Sequence, residues 1–164
     1  KKTNDKRKKM KNKKMTNNVK ADPIVQLLFA KTSIQFLSKN IAEFSKTQPE
    51  SKRKGIESDV ECLWYALEIL SSYEGHFSNP DERTRKSLLD VNIEDLLDPS
   101  TGYLVTRTVL SYLAEIVVEA SGKYPDRSES LEGYLNVLWT TLEIMNTCKI
   151  FFQEPEETQG KLAA

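Results

Sequence analysis

The side chains able to move protons or bind metals near neutral pH are few in this 164-residue chain. There is one imidazole, His76, and it follows Gly75 at a break between helical patterns, where an isolated histidine is ordinarily a solvated surface group. The two thiols, Cys62 and Cys148, lie in predicted helices on or near apolar faces, where cysteine behaves as a small hydrophobe. Unpaired cysteines of that kind point to a reducing compartment. None of the spacings that assemble a metal site is present: no Cys-x-x-Cys, no His-Glu-x-x-His, no calcium loop of acids alternating around a glycine. Phosphate-cradling loops need clustered glycines, whereas Gly55, Gly75, Gly102, Gly122 and Gly133 occur singly. Carboxylate neighbours such as Glu94 with Asp95, or Glu156 with Glu157, read as solvated faces. The expectation is therefore no catalytic residue, no metal and no cofactor.

What the chain has in quantity is charge and aromatic surface. Its 24 basic and 24 acidic residues cancel only on average. The first twenty residues hold ten basic side chains against Asp5, a net +9, which leaves 14 basic and 23 acidic residues, a net −9, in the rest. A cationic leader is thus joined to an acidic globule. Residues 1–21 are Lys- and Asn-rich with little to bury, so they are expected to stay disordered unless a partner binds. Within them Lys6, Arg7, Lys8 and Lys9, followed by Lys11, Lys13 and Lys14, resemble a classical nuclear localisation signal, which implies a nuclear protein. The same charge suits phosphate neutralisation, so nucleic acid is a second candidate partner, although no aromatics are interleaved for base stacking.

The elements that would carry these groups are helices. Asp22-Pro23 is a cap followed by a first-turn proline, and the predicted helix runs to about Thr47 with Leu27, Ala30, Ile34, Leu37, Ile41 and Phe44 in one stripe. After a polar break over Gln48–Gly55, holding Lys52, Arg53 and Lys54, a second helix is expected from about Ile56 to Tyr73. Its buried side is read as Val60, Leu63, Trp64, Leu67 and Leu70, and Gly75 is placed as a left-handed stop. Two short helices, about Glu82–Asp90 and Ile93–Leu97, precede long ones at about Tyr103–Ala120 and Glu129–Phe152. Strand signals are weak throughout, and no stretch approaches the ~18–20 apolar residues of a membrane span, so a soluble protein is expected.

An internal repeat links two of these helices. Leu63-Trp64-Tyr65-Ala66-Leu67-Glu68-Ile69-Leu70 and Leu138-Trp139-Thr140-Thr141-Leu142-Glu143-Ile144-Met145 agree at Leu, Trp, Leu, Glu and Ile, 75 residues apart. That offset is close to two periods of ~40. Asp81–Leu89, Asn92–Asp98 and Leu104–Ala120 together resemble the short first, short second and long third helices of an armadillo or HEAT repeat, over about a quarter of the chain. In place of the groove-lining asparagine of peptide-binding armadillo proteins stand Glu68 and Glu143, so a groove of that type would be acidic here. The resemblance implies a short solenoid; a plain helical bundle satisfies the same stripes.

The chain is accordingly read as all-α, about five amphipathic helices over residues 22–154, between the basic tail at 1–21 and a disordered terminus at 155–164. Residues 161–164 resemble a cloning-site remnant, which suggests a piece of a larger protein. The functional expectation is a non-catalytic scaffold module of a nuclear or chromosome-associated protein, binding a partner helix or peptide. Trp64, Glu68, Tyr134, Trp139 and Glu143 are its predicted contact residues, within an aromatic surplus that also counts Tyr65, Tyr73, Phe77, Tyr103, Tyr112 and Tyr124. Homodimerisation through the first helix is the further alternative, because Val25, Leu28, Phe29 and Phe36 lie off its seam.

Overall fold

The computed structural model of the chain describes residues 19–152; the basic run from Lys6 to Lys14 and residues 155–164 lie outside that range. The described residues are all-α, with no β-strand among them. The helices are α1 (Pro23–Lys46), α2 (Glu50–Ser72), α3 (Glu74–Ser78), α4 (Glu82–Ser87), α5 (Pro99–Lys123) and α6 (Ser128–Thr147). Single 3-10 turns sit at Glu94–Leu97, Pro125–Arg127 and Lys149–Phe152.

Proline sets several of the starts. Pro23 and Pro99 open α1 and α5, where a missing N–H costs nothing. Asp22 makes no side-chain capping bond; its carbonyl accepts the Gln26 N–H at 3.1 Å. The stretch read as a polar break is largely helical. Pro49, at φ −62°, ends the turn and lets α2 begin at Glu50, so Lys52, Arg53 and Lys54 ride on its first turns. The Pro49 carbonyl takes the N–H groups of Lys52 and Arg53, and the Arg53 Nε donates to the Gln48 carbonyl at 2.9 Å. Gly75 is no left-handed stop, since no glycine among the described residues has a positive φ. The chain instead passes through Tyr73 directly into α3.

Four long helices form a closed ring of contacts, α1 on α2, α2 on α6, α6 on α5 and α5 on α1. Cys62 Sγ meets the Val137 carbonyl and the Thr141 hydroxyl, while Ser72 shares a groove with Ser130. Rising numbers in α2 therefore face falling numbers in α6, and the two run antiparallel. The four long helices pack against one another as a bundle.

The 75-residue offset is nevertheless written into the structure. It carries Cys62 onto Val137, and those two touch, as the central residues of an antiparallel pair related by a two-fold must. It also carries Ala30, Ile34 and Leu37 of α1 onto Val105, Val109 and Tyr112 of α5, all buried. Leu27 maps onto Gly102, and there the Phe29 ring comes so close that a Cβ on Gly102 would stand 2.7 Å from it. A side chain there would have to displace the Phe29 ring, so close approach, not dihedral angle, favours glycine at that point. The bundle is thus two similar helical hairpins, α1–α2 and α5–α6, packed face to face.

The connection between them is pinned to the core. Phe77 is buried edge-on against Tyr112, with ring centroids 6.0 Å apart. Asp81 caps α4 by accepting from the Thr84 N–H and hydroxyl, both at 2.8 Å, and the Thr84 and Tyr112 hydroxyls share a 2.6 Å hydrogen bond. Arg83 grips Glu119 with two 2.7 Å contacts. Further on, the Gln26 amide donates to the Leu89 carbonyl at 2.8 Å, and Val19–Ala21 pair with Val91–Ile93 around a Lys20–Asn92 bridge. Residues 19–21, assigned from the sequence to the tail, therefore belong to the folded body. Backbone pairing, invisible to an apolar pattern, holds them there.

These contacts make folding sensitive to acid. Hydrogen bonds from Thr84 hold the Asp81 carboxyl below its ordinary range, those from Ser100 and Thr101 do so for Asp98, and Arg83 does so for Glu119. Each group binds protons less readily folded than unfolded, so its contribution is present above the ordinary carboxylate range and fades as pH falls below about 4. Asp59, pushed up by burial, works in the opposite sense. Replacing Asp81 with alanine should lower stability at neutral pH and flatten the acid limb of the urea midpoint against pH; an unchanged limb would show that the cap contributes nothing.

Candidate partner-binding surface

The two halves of the repeat bury equivalent residues. Leu63 with Leu138, Ala66 with Thr141, Ile69 with Ile144 and Leu70 with Met145 all face the core. Trp64 and Trp139 do not. Their side chains are 54% and 50% exposed, so the placement of Trp64 on the buried side of its helix is corrected. With ~100° between successive residues, the arc running from Ile69 through Ala66 and Leu63 leaves position 64 on the outer flank. Phe44 is corrected likewise: a straight helix drifts ~20° per heptad, and by the last turn of α1 Ser45 has taken the inward position.

The aromatic surplus divides in two. Phe77, Tyr103 and Tyr112 are core residues, and Tyr73 is half-buried and stacks on His76 with centroids 5.6 Å apart. Tyr103 is closed in by the Phe152 ring and hydrogen-bonded through its hydroxyl to Asn146. Trp64, Tyr65, Tyr124, Tyr134 and Trp139 stay exposed. The division follows partner availability, because the buried rings lie on or against α5, which receives α1, α6 and the connection.

Two of the predicted contact residues meet in one place. Tyr65, Glu68, Ile69 and Ser72 of α2 and Ser130, Gly133, Tyr134 and Val137 of α6 line an open groove of about 440 Å³. Tyr65 and Tyr134 flank it, Glu68 supplies a carboxylate at its edge, and the absence of a side chain at Gly133 keeps one wall low. Trp139 lines a separate depression of about 320 Å³ with Arg83, Ala114, Val118 and Glu119. Trp64 and Glu143 are exposed but line neither. Tyr65 was counted in the aromatic surplus without being named as a contact; its position one turn before Glu68 was the available signal.

Buried polar groups in this region serve the fold. The Thr141 hydroxyl donates to the Val137 carbonyl at 2.7 Å and the Thr106 hydroxyl to the Gly102 carbonyl at 2.8 Å. Both thiols are half-buried and pushed up by desolvation, with Asp59 adding to the effect on each, so neither is an activated nucleophile. No helix among the described residues is long and apolar enough to cross a membrane. Comparison with protein-family models, curated proteins and solved structures returns no match for this chain.

Adjacent residues of the repeat should separate packing from recognition. Leu63→Ala and Leu138→Ala remove fully buried side chains and should each cost about 2–5 kcal/mol in urea unfolding. Trp64→Ala and Trp139→Ala should each cost less than about 1.5 kcal/mol, because half of each ring is already in water. Equal losses in the two pairs would mean that the tryptophans are structural.

Proposed function

We propose that this chain is a non-catalytic protein-interaction module that presents the α2–α6 face to a helix or peptide of a partner, within a nuclear or chromosome-associated assembly. The single observation that carries this reading is the groove between α2 and α6, where Tyr65 and Tyr134 stand half-exposed on either side of a shallow channel with Glu68 at its rim. Exposed aromatic rings held on rigid helices lose little entropy on contact and dominate binding energy where they occur. Nuclear placement rests on the resemblance of the Lys6–Lys14 run to a localisation signal.

Peptides selected from a random library on the intact chain test the reading by titration calorimetry. Tyr65→Ala and Tyr134→Ala should each weaken the selected peptides about tenfold or more, with the far-ultraviolet spectrum unchanged. Failure to select any peptide, or affinities indifferent to both substitutions, would remove the proposal.

A second reading is favoured by α1, whose Leu28 and Phe36 are about half exposed: a homodimer through that helix. Light scattering should then give a doubled mass that Phe36→Lys returns to the monomer value; a monomer at all concentrations dismisses it.

A further inference from the structure

Among the described residues, nothing covers the outward flank of helix α5. Two open depressions, of about 360 and about 320 Å³, follow one another along it and share Ser111 and Glu115 as lining residues. The first opens at Leu104 and Arg107 beside Ser87 of α4; the second ends at Val118, between Arg83 of α4 and Trp139 of α6. They join into one trough running from Leu104 to Val118, ~21 Å or about four turns of helix. Leu104 stands at one end and Val118 with Trp139 at the other, each about half exposed. No residue of the trough lines the α2–α6 groove, and Trp139 lies ~200° around α6 from Val137, which does.

Four charged side chains line this trough. Arg83 and Glu119 satisfy each other through two 2.7 Å contacts. Arg107 and Glu115 take part in no ion pair among the described residues, and they stand ~12 Å apart along the α5 axis. The Arg107 guanidinium is held over the Tyr103 ring, 5.6 Å from its centroid, so it has less rotamer freedom left to lose on contact. The fold itself does not call for either charge. The offset of 75 carries Arg107 and Glu115 onto Thr32 and Asn40 of α1, uncharged residues whose side chains bond to the Leu28 and Phe36 carbonyls of their own helix. A cation and an anion at a fixed spacing, between two apolar ends, are what a complementary surface would have to match.

The whole trough lies within one continuous helix, Pro99–Lys123, whose backbone groups are engaged internally. An extended peptide would find no edge to pair with there, whereas a helix satisfies its own amides and can lie along the trough without leaving any unbonded. We propose that the α5 trough is a second docking site, and that its occupant is an amphipathic helix of about four turns from a partner protein. That helix carries a carboxylate to meet Arg107, a basic side chain about two turns along the same face to meet Glu115, and an apolar residue at each end for Leu104 and for Val118 with Trp139. A helix seated here and a peptide in the α2–α6 groove touch different flanks of α6, so one copy of the module holds two partners at once. The two sites share no residue, and each stands or falls by its own test.

The test uses the full chain carrying Tyr65→Ala and Tyr134→Ala, which disables the α2–α6 groove, and a display library of alanine-based helices of about eighteen residues randomised along one face. Selected peptides should be helical when bound and carry an acid and a base about two turns apart. In titration calorimetry Ser111→Trp, which fills the middle of the trough, should weaken them about tenfold or more. Arg107→Glu should weaken them as well, and exchanging the peptide's acid for lysine should bring affinity for that variant back to within about threefold of the original, which a loss of structure would not do. Ser111 and Arg107 are both exposed, and urea midpoints check that each variant keeps its fold. Failure to select helices, affinities indifferent to Ser111→Trp, or no recovery on charge exchange would overturn the proposal. A doubled mass of the peptide-free chain that Ser111→Trp returns to the monomer value would overturn it too, in favour of a second copy as the occupant.

Discussion

The structure depends on the closing of α1, α2, α5 and α6 into one ring. Helices α2 and α6 each bring one narrow stripe of large aliphatic residues, Leu63 and Leu70 from one, Leu138 and Met145 from the other, and each stripe is completely removed from water inside that ring. Burial of this kind contributes about 1.5–3 kcal/mol per side chain, against an ordering cost of ~1–2 kcal/mol for each residue's backbone. A 23-residue helix and a 20-residue helix with so few inward positions could not stay folded singly. Closure of the ring through α1 and α5 is what makes both worthwhile, and the same closure leaves the outer flanks of α2 and α6 with nothing to cover them.

The small side chains at the interfaces set how closely the hairpins approach. Gly102 admits the Phe29 ring, and Ala66 opposite the Cys62–Thr141 contacts keeps the α2 surface low where the pseudo-symmetric centre falls. Trp64 and Trp139, one position on from the core leucines, face outward because a step of ~100° turns them off the buried arc. Their exposure is a consequence of the repeat's geometry and also the origin of its usable surface.

Much of this was legible in the residues. The stripe of α1, the Asp-Pro start, the Leu-Trp repeat at an offset of 75 and the all-α class follow from periodicity and capping chemistry. What periodicity could not supply was everything that depends on a neighbour in space. It gave the number of inward residues but not which flank of α2 another helix would choose, so Trp64 was turned to the wrong side. It treated Pro49 and the three basic residues after it as a break, because charge lowers the apparent apolar signal while leaving helix propensity intact. Val19–Ala21 were lost to the tail because their anchorage is backbone pairing with Val91–Ile93. Within the groove, Glu68 and Tyr134 were foreseen but their meeting was not, since it requires knowing that α2 and α6 run in opposite directions.

The charge pattern is the last consequence of the same packing. Surface composition is under little folding constraint, and yet α6 and α2 beyond its Lys52–Lys54 cluster carry acids alone, while α1 and α5 hold Lys31, Lys39, Lys46, Arg107 and Lys123 against three glutamates. Like charges on neighbouring helices repel, so an unmixed acidic face costs stability that an interleaved one would not. Its cost is offset when a cation lies across it, and rings beside the carboxylates raise that return by giving the cation's hydrocarbon stem somewhere dry to rest.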